Sequence, residues 1–235
     1  MSQSKPLIEV MPGRLMIDYV IDFLSFAEPH RFIFVCLAEH DRLFGISRRL
    51  RNKAPGCEVV LAEGLTAGPA SSALLAAPLL RDDAELLIAY CDSFLTIEAG
   101  DFVRYCRDKR AQGGLITYPS SGAFESYAVV TETGEVVRTA EKQVISPLAT
   151  AGIYYFAAAA DFIRGARAMI ARSASDAGEF FVCPVFNELI AEGKRVCAYP
   201  IGRDERIEMG NPDDLATSRA WLAREDDDGR SIDAA

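Results

Sequence analysis

The feature that most constrains the fold of this chain is an alternation. Short apolar runs rich in β-formers are separated by amphipathic segments of helical period. The runs are Arg31-Phe-Ile-Phe-Val-Cys36, Cys57-Glu-Val-Val-Leu61, Glu85-Leu-Leu-Ile-Ala-Tyr90 and Gly114-Leu-Ile-Thr-Tyr118. Helical stretches lie between them, at Asp41 to Lys53, Ala70 to Leu80 and Asp101 to Arg110. Another helix precedes the first run. There Met16, Ile17, Val20, Phe23 and Leu24 share one face, and Arg14, Asp18, Asp22 and Ser25 take the other. Strands apolar along their whole length are buried on both faces, and helical crossovers return the chain parallel. The expected fold class is therefore α/β, a three-layer Rossmann-like mixed, mostly parallel sheet.

After Tyr118 the pattern changes. Ser126 to Val130 and Glu135 to Glu141 flank a Thr133-Gly134 turn, which predicts a β-hairpin inserted into that sheet. Ala151 to Phe156 predicts another strand. Helices follow at Asp161 to Ala171 and Pro184 to Ala191, then a strand at Arg195 to Ile201. A terminal helix is expected over Asp213 to Arg224. We divide the chain into one domain, 1–224, and an acidic tail, 225–235, expected to be disordered.

Composition narrows the function. The chain has 235 residues, half of them hydrophobic, which is enough for one domain with a large core. Its net charge of −9 argues against nucleic acid or anionic membrane as partners. No apolar stretch approaches the roughly 20 residues of a membrane span. The first residues carry no basic-then-apolar signal pattern, so a cytoplasmic location is expected. The six cysteines form no C-x-x-C pair and mostly lie in apolar runs, as reduced core thiols do. Neither His30 nor His40 stands in a Ser or Cys nucleophile pattern, and Asp226-Asp227-Asp228 reads as solvated tail.

Three places could carry chemistry. Asp92 follows an apolar strand, at the edge where open α/β sheets bind ligands. It could hold a metal ion, though aspartate also caps turns after strands. Glu141-Lys142 ends a hairpin strand. The lysine would suit a phosphate as a compact point charge, or form an exposed charge pair with its neighbour. Thr66-Ala67-Gly68-Pro69-Ala70 joins a strand to a helix with small residues that permit close approach, or simply pack in a turn.

The order of short motifs adds to this reading. Lys5-Pro6, Thr66-Ala67-Gly68, Cys91-Asp92, Glu141-Lys142, Ala149-Thr-Ala-Gly-Ile-Tyr154 and Gly210-Asn-Pro-Asp-Asp-Leu215 follow one another along the chain. In this order the chain resembles the sugar-phosphate nucleotidyltransferase family, in its short single-domain members. The resemblance implies a nucleotide-diphospho-sugar transferase type of fold and a part in nucleotide-sugar and polysaccharide biosynthesis. The implied reaction joins a nucleoside triphosphate to a sugar 1-phosphate, giving a nucleoside-diphosphate sugar and pyrophosphate, with Mg2+ as cofactor. It implies Lys5 and Asp92 as catalytic residues, and Asp92 and Glu208 as metal ligands. Glu208 stands where the family has aspartate, and Asn211 where it has threonine. Thr66, Ala67, Gly68 and Ala70 would meet the nucleotide. Glu141, Lys142, Thr150 and Gly152 would meet the acceptor, with Tyr118, Ser120 and Tyr127 as further candidates to line its pocket or to pack in the core.

One departure bears on this. The family's first strand and G-x-G-x-R loop would precede Lys5, where this sequence has four residues and no glycine. The expectation is a gap in the sheet between Phe32–Cys36 and Leu86–Tyr90, weak triphosphate binding and impaired turnover. A non-catalytic sugar-phosphate-binding or regulatory homologue is the alternative. A nucleotide-sugar glycosyltransferase is another, although Cys91-Asp92-Ser93 lacks a second aspartate at i+2. The oligomeric state stays open, a homo-oligomer included.

Overall fold

The structure, a computed structural model, describes residues 4–172 and 178–227. In chain order, β1 (Glu9–Met11) and β2 (Arg14–Leu15) form a small antiparallel pair that leads into α1 (Met16–Leu24). Then come β3 (Ile33–Leu37), α2 (Ala38–Phe44), α3 (Ile46–Lys53), β4 (Glu58–Ala62), α4 (Pro69–Leu74) and β5 (Leu86–Ala89). They are followed by β6 (Ser93–Leu95), α5 (Ala99–Asp108), β7 (Gly113–Pro119), β8 (Ser126–Val130), β9 (Val136–Glu141) and β10 (Leu148–Phe156). The last elements are α6 (Ala159–Ala171), α7 (Phe186–Ala191), β11 (Val196–Pro200), β12 (Arg206–Glu208) and α8 (Pro212–Asp227).

The architecture is the expected mixed α/β one. The main sheet runs β11-β7-β10-β8-β9, with β5 also on β10. β7 and β11 pair in parallel, while β10 is antiparallel to β5, β7 and β8. Alternation along β10 feeds two layers. Tyr154 and Phe156 face the core beneath α6 and α7, with Phe162, Ala166, Phe186 and Leu189. Ile153 and Tyr155 face the core beneath α5, with Phe102, Val103 and Cys106. This is the period-two pattern of a strand buried on both sides. A register break between Thr150 and Tyr154, with Gly152 at φ +75°, lets the first half of β10 reach β8 and the second half reach β5.

β3 and β4 pair in parallel as a separate sheet and pack on α1 and α3 through Phe34, Cys36, Val59, Ile21, Ile46 and Leu50. Among the described residues no ladder joins β3 to β5, as the sequence led us to expect. Contacts bridge them at both ends. Arg31, before β3, donates to the Leu79 carbonyl, before β5. Past the other ends, Ser4 bonds His40 at 3.0 Å, and Lys5 bonds Asp92.

Some expected boundaries moved. The single helix read over Asp41 to Lys53 is two, α2 and α3, because Gly45 between them adopts φ +63° and ends α2; the Asp41 carboxylate then accepts the Ser47 N–H at 2.8 Å. The helix read to Leu80 stops at Leu74, and Ala77–Leu79 form a 3-10 turn around Pro78, which cannot donate to a helical ladder. α8 continues to Asp227, into the segment read as a disordered tail, while 228–235 lie outside the described residues. No helix among the described residues is long and apolar enough to cross a membrane.

Candidate active site

The candidate residues fall into three groups, the first beyond the C-terminal end of β5. There the chain turns through Tyr90, Cys91 and Asp92 into β6. The Asp92 carboxylate accepts a charge-assisted bond from the Lys5 ammonium. The side chains are 23% and 43% exposed, so the pair opens to solvent. β6 runs antiparallel to β12, with Glu208 opposite Ser93. The chain beside Asp92 is thus the stretch that sequence reasoning offered as its metal partner, though only its backbone is described. A Cβ on Gly210 would stand 3.9 Å from Asp92 Oδ2 and 3.8 Å from Asp214 Oδ2. The neighbouring Cys91 thiol is pushed up to about 12, chiefly by burial and then by the Asp92 charge, so it stays protonated at neutral pH.

The second group lies at the end of β9. Glu141 is 7% exposed and accepts a bond from the Ser126 hydroxyl. Thr150 is buried, its hydroxyl 3.2 Å from that of Tyr154. Gly152 connects the two groups, because its carbonyl accepts the Tyr90 N–H at 3.3 Å. Lys142 has φ +52°, and its N–H donates to the Glu125 carbonyl at 2.9 Å. Its ammonium lies 3.7 Å from Glu179 and 4.6 Å above the Phe181 ring.

The third group is the loop before α4. Thr66 donates to the Gly68 carbonyl at 2.9 Å, and its hydroxyl lies 2.7 Å from that of Ser72. The close approach that Gly68 permits is made by protein backbone. Phe180 N–H donates to the Ala67 carbonyl, and the Ala70 N–H donates to the Phe180 carbonyl, both at 2.8 Å. Ala70, expected at the nucleotide, has its side chain fully buried and its N–H committed; it supports the loop from beneath.

Tyr118 and Tyr127, offered as pocket or core, are fully buried rings with polar tips. Their hydroxyls donate to Glu125 at 2.6 and 3.2 Å. Arg206 adds a cation 3.6 Å from Glu125 and 4.7 Å above the Tyr118 ring. Burial alone would raise the Glu125 carboxyl; bonds from Ser120 and Tyr118 and the Arg206 charge outweigh it and hold it below the usual range. Sequence reading missed Ser126, Glu179 and Phe181. Glu179 and Phe181 stand in an apolar stretch without a spacing signal; only folding puts them on Lys142.

A family model described as nucleotidyl transferase matches residues 1–221. No curated protein matches the sequence. Among solved structures, the nucleoside-diphosphate-sugar pyrophosphorylase from Vibrio cholerae RC9 is similar in fold. It has a TM-score of 0.79 at 21% identity, over 94% of this chain and 93% of that one.

Proposed function

This chain belongs to the nucleotidyl transferase family, and on that premise we propose that it moves a nucleotidyl group from a nucleoside triphosphate to a phosphorylated sugar. The observation that supports this reading is the Lys5–Asp92 contact, which brings Lys5 to a carboxylate past a strand's C-terminal end, the side on which open α/β sheets commonly bind ligands. An acceptor phosphate oxygen bonds to the α-phosphorus, the α–β anhydride bond breaks, and pyrophosphate leaves with that electron pair. Both reactants are anionic, so this chain's task is to position them and to offset charge. Lys5 supplies a cation near Asp92, and Lys142 one near the acceptor. Glu141, desolvated and oriented by Ser126, offers an acceptor for sugar hydroxyls. Thr66, Ala67 and Gly68 present a backbone-braced loop to the nucleotide.

The donor set suits Mg2+, which takes one or two carboxylates and fills its remaining positions from phosphates and water. Asp92 offers a partly exposed hard oxygen, the Glu208 backbone passes beside it, and no larger cluster of metal-ligating side chains occurs among the described residues. Asp92 and Glu208 would hold the ion, which when bound neutralises phosphate charge.

The test is pyrophosphate release with Mg2+ over panels of nucleoside triphosphates and sugar phosphates. Asp92→Asn should lower turnover on the order of 100-fold or more. Lys142→Ala should weaken binding of phosphorylated sugars and leave their unphosphorylated forms unaffected. Sugar-phosphate binding without turnover would favour a non-catalytic binding protein. Transfer of sugar from a nucleotide-sugar would favour a glycosyltransferase.

A further inference from the structure

Lys142 already has an anion beside it. Its ammonium faces the Glu179 carboxylate at 3.7 Å and lies over the Phe181 ring. That separation exceeds hydrogen-bond distance, so the carboxylate can leave without breaking a formed bond. The side chains are 34% and 52% exposed, which opens the pair to exchange with a solute anion. The segment carrying Glu179 is nevertheless fixed. Phe180, between Glu179 and Phe181, is bonded through both its N–H and its carbonyl to the 67–70 loop. Lys142 is fixed too, by its N–H bond to the Glu125 carbonyl. Two braced backbones thus hold a cation and a carboxylate just out of bonding range.

We propose that Glu179 is a built-in competitor at the acceptor-phosphate position, screening Lys142 until a phosphate group displaces it. This rests on Lys142 being the acceptor-phosphate residue. Glu179 leaves by side-chain rotation, because the Phe180 brackets hold its backbone. A phosphate wins the exchange because it carries more charge and offers three acceptor oxygens to the ammonium. A neutral hydroxyl or a weakly charged anion does not displace the carboxylate. The pair therefore weakens the affinity for phosphorylated acceptors and leaves that for unphosphorylated ones unchanged.

The test uses the full chain, with 31P line broadening for inorganic phosphate and titration calorimetry for glucose 1-phosphate beside glucose, at matched ionic strength. Removing an exposed competing charge should tighten phosphate and glucose 1-phosphate binding about two- to fivefold in Glu179→Gln. Glucose binding should not change. Glu179→Asp, which keeps the charge on a shorter stem, should fall between wild type and Glu179→Gln, and serves if Glu179→Gln folds poorly. Unchanged or weaker phosphate binding in these variants, with Lys142→Ala still losing phosphate selectively, would overturn the competitor role and leave the acceptor assignment standing. Lys142→Ala losing phosphorylated and unphosphorylated sugar equally, or no phosphate binding by wild type, would overturn the acceptor assignment and this inference with it.

Discussion

Gly68→Ala offers the sharpest test of how the loop before α4 is held. Gly68 has φ +124° and ψ 176°, a region essentially closed to residues with a Cβ. An added Cβ would stand 2.6 Å from the Phe180 nitrogen and 2.7 Å from its oxygen. Neither atom can step aside cheaply, because each is in a 2.8 Å hydrogen bond to the same loop. The substitution must strain the backbone, at about 1–3 kcal/mol, or push Phe180 away and lose two bonds worth about 1 kcal/mol each. The two routes together predict a loss of about 1–3 kcal/mol, a large share of a typical total of roughly 5–15 kcal/mol. Urea unfolding followed by circular dichroism measures it, with an unchanged m-value expected. Gly64→Ala is the control, since nothing lies within 4 Å of its Cβ position. A Gly68→Ala loss below about 1 kcal/mol, or one equal to the control, would refute the bracket as a structural constraint.

Two further outcomes follow from the same fold. Bonds from Arg107, aided by the Tyr155 hydroxyl and opposed by burial, hold the Glu85 carboxyl below its ordinary value of 4.5. A depressed folded-state value gives stability that is full above about pH 4.5 and fades as pH falls through the lower value. Glu85→Gln should therefore lower stability most at neutral pH, with the difference from wild type shrinking as pH falls, so that the acid limb is flatter; parallel curves would count against this pairing. On the unladdered edges of β3 and β5, alternate amides should exchange hydrogen at least about 100-fold faster than those of β7 and β10. Equal protection in exchange spectra would mean that something covers those edges in solution.

Much of the fold was legible from the sequence because period and apolarity are local properties. Met16 to Leu24 repeats at helical spacing and forms α1 as read. The hairpin around Thr133-Gly134 forms as β8 and β9. Asp92 could be placed at a strand end because the apolar run before it is short and bounded. Helix ends were less legible, since the Gly45 and Pro78 breaks act through single residues inside continuing amphipathic patterns.

Partner choice was not in the pattern. Apolar alternation marks β10 as buried on both faces, yet says nothing of its antiparallel course between β5 and β7. The β6–β12 ladder, which carries the Glu208 backbone to Asp92, joins two short strands too brief for a periodic signal. Gly68 reads as a small loop residue whether a ligand or Phe180 approaches it. Lys142 reads as a free cation until Glu179 and Phe181 arrive from another part of the chain. Which segments bury and which residues can carry charge follow from each residue and its near neighbours. Which charges and edges meet follows from the folded chain alone, because pairing energies act over a few ångströms between groups that sequence distance leaves unrelated.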